Sequence, residues 1–397
     1  MTTRAIAVLG SEPRFDSLIP MVRPHLPPVD ERLQKDMAEL VESGRLTKGK
    51  HLQSFEEDAA HYLGARHAVG VSSCTMGLLL LYRGLGLSGE VIVPSFTFMA
   101  TVHPLPWVGA EPVFVDVDEK TWCLDPVQVE AAITERTTGI VAVHTFGNPA
   151  AIQRLQEIAT SYALKLVFDS AHAFGSLYRG SRVGRFGNAE AFSLTPTKPV
   201  VGGEGGVVAT EDDELAAFVR TAREYGNSGN YGSDFPGLNG RLAEFNALLA
   251  SRSLEDLEGT VSARNRVASL FREALAGVHG IRFQEIHEQD ASTIKDLSVV
   301  IGEETFGLSR DHLATALRAD NIDTRKYFDP PVHLHNSYAQ SREAAGNRLA
   351  VTERLSRASL SLPLWPGLDD EMVERICAVI KDVQANSRAV AQALSEA

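Results

Sequence analysis

Short apolar runs alternate with helical patterns through the first half of the chain, and this alternation limits the possible folds more than any other feature. Ala68 to Val71, Glu90 to Val93, Pro112 to Asp116, Thr138 to His144, Lys165 to Asp169 and Val207 to Thr210 read as strands. Met76 to Gly84, Pro126 to Thr134 and Ala150 to Tyr162 read as helices between them, and Asp212 to Arg223 as a helix after the last strand. Strand-length runs separated by helices imply βαβ crossovers, hence an α/β fold with a mostly parallel sheet. Ligands then belong beyond the carboxyl ends of those strands.

With 397 residues the chain can hold a large core and a smaller second domain. Residues 1–28 are expected to form an irregular arm, because Pro20, Pro24, Pro27 and Pro28 forbid a continuous helix. Val29 to Ser43 and His51 to Leu63 read as helices, stopped by Gly44 and Gly64. A large domain is expected over 29–260 and a smaller α+β domain over 261–397, joined by a helical stretch from Ala243 to Ala276. In the smaller part Ser298 to Ile301 reads as a strand, and Arg310 to Ala319 and Glu371 to Leu394 as helices. Asn227 to Asn239, rich in Gly, Asn and Ser, reads as a long surface loop suited to binding or subunit contact.

A content of 44% hydrophobic and 22% charged residues is that of an ordinary soluble globular protein. The net charge of −13 and the lack of a basic stripe speak against nucleic acid as a partner. Cys74, Cys123 and Cys377 show neither a CxxC nor a Cys/His metal spacing, which points to a reducing cytoplasm and no metal. The sequence has no signal-peptide pattern and no apolar run approaching 18 residues, so neither secretion nor a membrane span is expected.

The chemistry is concentrated in two segments. Lys198 lies at the mouth of the glycine run Gly202-Gly203-Glu204-Gly205-Gly206, and it follows Asp169 of Val167-Phe168-Asp169-Ser170-Ala171-His172 by 29 positions. A lysine that forms a Schiff base and an aspartate that keeps a pyridinium nitrogen protonated are the minimum protein chemistry for pyridoxal 5'-phosphate. Either residue alone would read as a solvated loop lysine or a strand-end aspartate. Ser193, five residues before the lysine, strengthens the constellation. Ser72-Ser73-Cys74-Thr75-Met76 lies between a predicted strand and a predicted helix, where a helix N-terminus offers donors to a phosphate.

These motifs, read in order, resemble the DegT/DnrJ/EryC1/StrS family of pyridoxal-phosphate enzymes. The likeness runs from about Pro20 to past Cys377. It includes Leu46-Thr47-Lys48-Gly49, Val91-Ile92-Val93-Pro94-Ser95-Phe96-Thr97-Phe98, Gly237-Leu238-Asn239-Gly240-Arg241, Tyr327-Phe328-Asp329-Pro330-Pro331-Val332-His333 and Leu360-Ser361-Leu362-Pro363-Leu364. The resemblance implies fold type I: a large domain with a mostly parallel seven-stranded sheet flanked by helices, plus a smaller C-terminal α+β domain. It also implies an aminotransferase, because related sugar dehydratases carry histidine where Lys198 stands.

Residue by residue, the likeness makes Lys198 the Schiff-base lysine and general base, and Asp169 the partner of the ring nitrogen. Ser73, Thr75 and Ser193 would hold the phosphate. Cys74 would contribute a backbone amide where the family usually has glycine, and a catalytic thiol is not expected there. Phe98 would stack on the ring, or else pack as a core aromatic. His172, where the family often has glutamine, would meet the ring oxygen or simply pack. Asn239 and Arg241 would reach the phosphate across a dimer interface, making a homodimer with shared active sites. Thr47, Lys48, Tyr327 and His333 would border the second substrate. Glu204 is expected to shape the lysine loop through a hydrogen bond.

The implied reaction moves an amino group from L-glutamate or glutamine to a nucleotide-linked keto sugar, with C4 of a dTDP-4-keto-6-deoxy sugar the leading substrate. Two alternatives remain at this point. One is an enzyme on a keto-cyclitol or an aminohydroxybenzoate-type synthase, and the other a non-catalytic regulatory protein of the same fold.

Overall fold

The computed structural model describes residues 6–229, 231–339 and 349–396. Residues 1–5 of the expected arm, residue 230 of the expected loop, and 340–348 and 397 of the expected smaller domain lie outside the described residues.

The strands of the first half are β1 (His67–Val71), β2 (Gly89–Pro94), β3 (Ala110–Val115), β4 (Thr137–Val143), β5 (Lys165–Asp169), the short hairpin strands β6 (Leu177–Tyr178) and β7 (Ser181–Arg182), then β8 (Ala189–Ser193) and β9 (Gly206–Thr210). Seven of them form one sheet in the order β1-β9-β8-β5-β4-β2-β3. Its strand pairs are parallel except at β9, which runs against both β1 and β8. Val91 and Val93 pack into the core on one face while Ile92 between them packs into the core on the other. Both faces are covered by helices, which is why these strands read as apolar runs rather than as an alternation.

The helices α1 (Glu31–Ser43), α2 (Lys50–Leu63) and α3 (Cys74–Gly84) end or begin where the sequence predicts, with Gly44 and Gly64 in the left-handed conformation at the C-caps of the first two. Strand β8 went unpredicted because Ala-Glu-Ala-Phe-Ser carries a charge at its second position. Glu190 is fully buried there, and its carboxylate accepts from the Gly184 amide at 2.7 Å, the Phe186 amide at 3.0 Å and the Ser170 hydroxyl. Satisfied in this way, a carboxylate can occupy a core strand.

In the smaller C-terminal α+β domain, β10 (Ile281–Phe283), β11 (Leu297–Ile301) and β12 (Ser359–Leu362) form an antiparallel sheet. Only β11 was legible, because β10 has three residues and β12 alternates serine with leucine. The serines are paired, Ser298 Oγ to Ser361 Oγ at 2.6 Å. The single helix expected over Ala243 to Ala276 is two, Glu244–Glu255 and Leu257–Ala274, broken at Asp256. The one expected over Glu371 to Leu394 is likewise two, Asp370–Ala385 and Ser387–Ser395, broken at Asn386.

The start of the chain is irregular, as its prolines require, but it is anchored. Ile6, Phe15 and Ile19 are buried in the same core as Val267, Phe271, Leu317 and Ile376. The segment after Asn227 folds back on the helix Asp213–Ala222, with Phe235 stacked on Phe218 at 4.9 Å. No helix among the described residues is long and apolar enough to cross a membrane.

Candidate active site

The ends of β1, β2, β4, β5 and β8 open on one cavity of about 370 Å³, closed on its far side by Tyr327, Phe328, Lys295 and Asp296. Ser73, Cys74, Thr75, Phe98, Asp169, His172, Ser193, Lys198 and Tyr327, all expected at the site, line it together. Parallel strands produce this convergence, because each delivers its C-terminal loop to the same edge.

Asp169 is the last residue of β5 and is buried. One carboxylate oxygen accepts from the Ala171 amide at 3.0 Å, and the Cys74 Sγ lies 4.0 Å from it. The other accepts from Thr101 Oγ1 at 2.6 Å, and Thr101 is held in turn by Thr97 Oγ1 at 2.8 Å. Among the described residues Asp169 forms no ion pair. Burial raises its pKa, while the Thr101 and Ala171 hydrogen bonds and the charge of Lys198 oppose the rise. A buried carboxylate without a counter-ion, facing a cavity, fits a group that brings a protonated ring nitrogen.

Lys198 is held by its loop and not by its side chain. Its amide donates to Thr195 O at 3.0 Å, Gly202 N donates to Leu194 O at 2.8 Å, and Leu194 N donates to Gly205 O at 3.0 Å. Gly205 adopts φ 139°, and a Cβ on Gly206 would lie 2.6 Å from the Cys74 amide nitrogen, so the lysine loop and the start of α3 lie in contact only because glycine is there. The Lys198 amine makes no hydrogen bond or ion pair with a described residue. Burial, then the charge of Lys295, lowers its pKa to about 8. That leaves a substantial neutral, nucleophilic fraction near neutrality.

At the start of α3, Ser73 is the N-cap, its hydroxyl accepting from Met76 N at 3.1 Å. The amides of Cys74 and Thr75 have no intrahelical acceptor and stand where an anion is favoured. Cys74 loses nothing there by not being glycine, since it begins the helix. Burial, reinforced by Asp169, pushes its thiol pKa well up, so it is no thiolate nucleophile. These donors, with Ser193, fit a phosphate.

His172 Nδ1 accepts from the Phe146 amide at 3.2 Å, which leaves Nε2 to carry the proton. Burial, followed by the charges of Lys198, Lys295 and Arg264, lowers its pKa well below the usual histidine value. It is a neutral donor at the cavity wall. Phe98 also lines the wall and is half exposed.

Five expected residues are not among those lining this cavity. Lys48 Nζ and Arg241 Nη1 both meet Glu224 Oε2, at 2.9 and 3.0 Å, and Asn239 forms a bridge with the Glu224 backbone. Thr47 pairs with Ala243 beside them. His333 is buried against Ser95, 2.6 Å from its Oγ, and pins the smaller domain's segment to the end of β2. Glu204 lines the cavity but makes no side-chain hydrogen bond with a described residue, so the loop-shaping bond expected of it is absent there. The loop is instead held by Asn246 Nδ2 on Gly202 O at 2.7 Å and Ser253 Oγ on Val201 N at 3.0 Å.

Sequence reasoning missed Thr101, which carries no signal, and the pair Lys295 and Asp296, whose only hint is two adjacent charges abutting an apolar strand.

The sequence pattern described as the DegT/DnrJ/EryC1/StrS aminotransferase family matches residues 27–381. The dTDP-3-amino-3,4,6-trideoxy-alpha-D-glucose transaminase of Streptomyces venezuelae is 37% identical over 349 residues, covering 87% of this chain and 90% of that protein. The UDP-N-acetyl-3-dehydro-alpha-D-glucosamine 3-aminotransferase of Acidithiobacillus ferrooxidans is 33% identical over 371 residues, covering 92% and 98%. The solved structure of DesI, in the presence of its TDP-sugar product, matches with a TM-score of 0.90 at 35% identity and covers 98% of both chains. The match reaches from α1 through the sheet, the lysine loop and most of the smaller domain, and the chain belongs to the DegT/DnrJ/EryC1/StrS aminotransferase family and is a transaminase.

Proposed function

We propose that this transaminase uses pyridoxal 5'-phosphate to move an amino group from L-glutamate or glutamine onto a nucleotide-linked keto sugar, at C4 of a dTDP-4-keto-6-deoxy sugar. The observation that carries the cofactor is the pairing, in one cavity, of a buried carboxylate and a lysine amine that have no ionic partner among the described residues. The names of the relatives, a dTDP-amino-sugar transaminase and a UDP-linked dehydro-sugar 3-aminotransferase, support the substrate class. The resemblance of the Asn239-Gly240-Arg241 and Tyr327 to His333 segments to members that aminate C4 is what supports C4 over C3.

Bound pyridoxal phosphate supplies an electron sink for the carbon that loses its proton. The chain's own residues do the rest. Asp169 holds a proton at the ring nitrogen, kept in place by Thr101 and the Ala171 amide. Ser73, the Cys74 and Thr75 amides and Ser193 hold the phosphate. His172 would offer its Nε2 proton to the ring oxygen and Phe98 would cover the ring, since both line the cavity. Lys198, with its lowered pKa, would be the base that takes up and returns the proton beside the transferred nitrogen. Lys48, Asn239 and Arg241 serve the site of a second subunit, in a homodimer.

The test is an absorption spectrum of the protein with pyridoxal phosphate before and after L-glutamate, beside Lys198→Ala, followed by a panel of keto sugars. A yellow band that bleaches with glutamate and is missing in the variant is expected, and NMR of the product assigns the ring position. A protein that takes up no cofactor would sink the reading, and a product aminated at C3 would move it by one carbon.

A further inference from the structure

Lys295 and Asp296 stand between the two domains, just before β11. Both are buried, at 5% and 3% exposure, and both line the cavity that contains Lys198. Their backbone is tied down, with Lys295 N donating to Phe146 O at 2.9 Å and Lys295 O accepting from Arg264 Nη2. Lys295 Nζ contacts both carboxylate oxygens of Asp296, at 3.0 and 2.8 Å, and sits 5.5 Å from the centre of the Tyr327 ring. An ammonium group has three donors, and Asp296 engages two of them.

A buried ion pair is a poor source of stability, since its desolvation offsets the attraction and an apolar pair of like volume serves as well. Its place on the cavity wall gives it another use. Among the described lining residues Lys198 and Lys295 are the only lysines or arginines, whereas Asp169 and Glu204 would repel an incoming anion and Asp296 is paired with Lys295. Lys198 is committed to the proton transfer. A carboxylate entering this cavity is therefore met by the one Lys295 N–H that Asp296 does not engage.

We propose that Lys295 forms the subsite for the α-carboxylate of the amino-acid donor, with Asp296 aiming its third N–H into the cavity. The proposal rests on the transaminase reading above. The donor's carboxylate is attached to the very carbon that bears the transferred nitrogen, so it must lie close to Lys198. A sugar nucleotide's diphosphate is separated from its keto carbon by much of a sugar ring, and a single N–H matches one carboxylate oxygen better than a diphosphate.

The experiment uses the cofactor-loaded enzyme and the volume-conserving, neutral double variant Lys295→Met with Asp296→Asn, which leaves no unpaired charge. Three quantities are read: apparent affinity for L-glutamate from the spectral change, affinity for non-reacting glutarate by calorimetry, and the sugar half-reaction of pyridoxamine-phosphate-loaded enzyme. Donor and glutarate affinity should fall about ten- to a hundredfold, the loss of one charge-assisted hydrogen bond. Cofactor content and the sugar half-reaction should stay within about threefold. Lys295→Arg, which keeps the charge, should restore most of the glutarate affinity.

Unchanged donor and glutarate affinity overturns the proposal. So does equal loss in both half-reactions, which marks a purely structural pair, or loss confined to the sugar half-reaction, which assigns Lys295 to the nucleotide phosphates. If the wild type accepts an amino group from no amino acid, the transaminase reading fails by itself, and glutarate calorimetry still decides whether Lys295 binds carboxylate. If the double variant does not load cofactor, the same titration on Lys295→Met without cofactor decides it.

Discussion

Two groups of charged residues in the large domain are built in opposite ways. Around Lys198 the side chains stand at the ends of parallel strands, and the two that matter most, Lys198 and Asp169, have no ionic partner among the described residues. Around Glu224 the side chains stand on loops, and the cations Lys48 and Arg241 are both paired with one carboxylate oxygen. The first group is rigid and electrically unfinished, so a ligand completes it. The second is tied together already, and what it can still offer is a surface.

The sharpest way to break this contrast is to remove an unfinished charge. Asp169→Asn keeps the shape and the Thr101 contact, and should lower kcat by about a hundredfold or more while leaving the melting temperature within a few degrees. A variant with near-normal kcat would show that the buried carboxylate is structural.

The next effect lies in pH. Only the neutral Lys198 amine attacks, so the rate at which cofactor-free protein captures pyridoxal phosphate should rise with pH through a midpoint of about 8 and fall about tenfold per unit below it. Stopped-flow absorbance measures it. A midpoint in the ordinary lysine range would mean the amine is solvated.

The loop group is tested by mixing subunits. If Arg241 serves the partner's site, co-expressing Lys198→Ala and Arg241→Ala chains should restore about a quarter of wild-type activity, because half the dimers are mixed and each has one intact site. Activity no greater than that of the Arg241→Ala chains alone would place Arg241 in its own subunit's site or in none.

The smallest effect concerns how the Thr47-Lys48 loop is held. Glu244, fully buried, accepts from the amides of Gly49, His51 and Leu52 at 2.8, 3.0 and 3.1 Å and so caps α2 from a distant part of the chain. Glu244→Gln should cost about 1–2 kcal/mol, read as a lower melting temperature. No shift would mean the loop is held otherwise.

The same contrast separates what the sequence disclosed from what it did not. Lys198, Asp169, Ser73 and Ser193 were legible because strand ends and a helix start are local patterns, and a parallel sheet brings such ends together without further information. Thr101 and Lys295 were not, since their importance comes from what lies opposite them after folding. Strand β8 escaped because Glu190 hides its apolar character, and the pairing of Ser298 with Ser361 does the same for β12. The breaks at Asp256 and Asn386 involve neither glycine nor proline, so no local signal announced them.

The burial of Ile6, Phe15 and Ile19 among residues from Val267 to Ile376 bears on the order of synthesis. On the ribosome those first residues emerge before anything they pack against, and they wait while more than two hundred residues of the large domain are made. The large domain can fold as soon as its own strands are out, but the smaller one closes only after Ile376 has been made. Loss of Ile6, Phe15 or Ile19 would therefore weaken a domain whose other residues are made more than two hundred positions later.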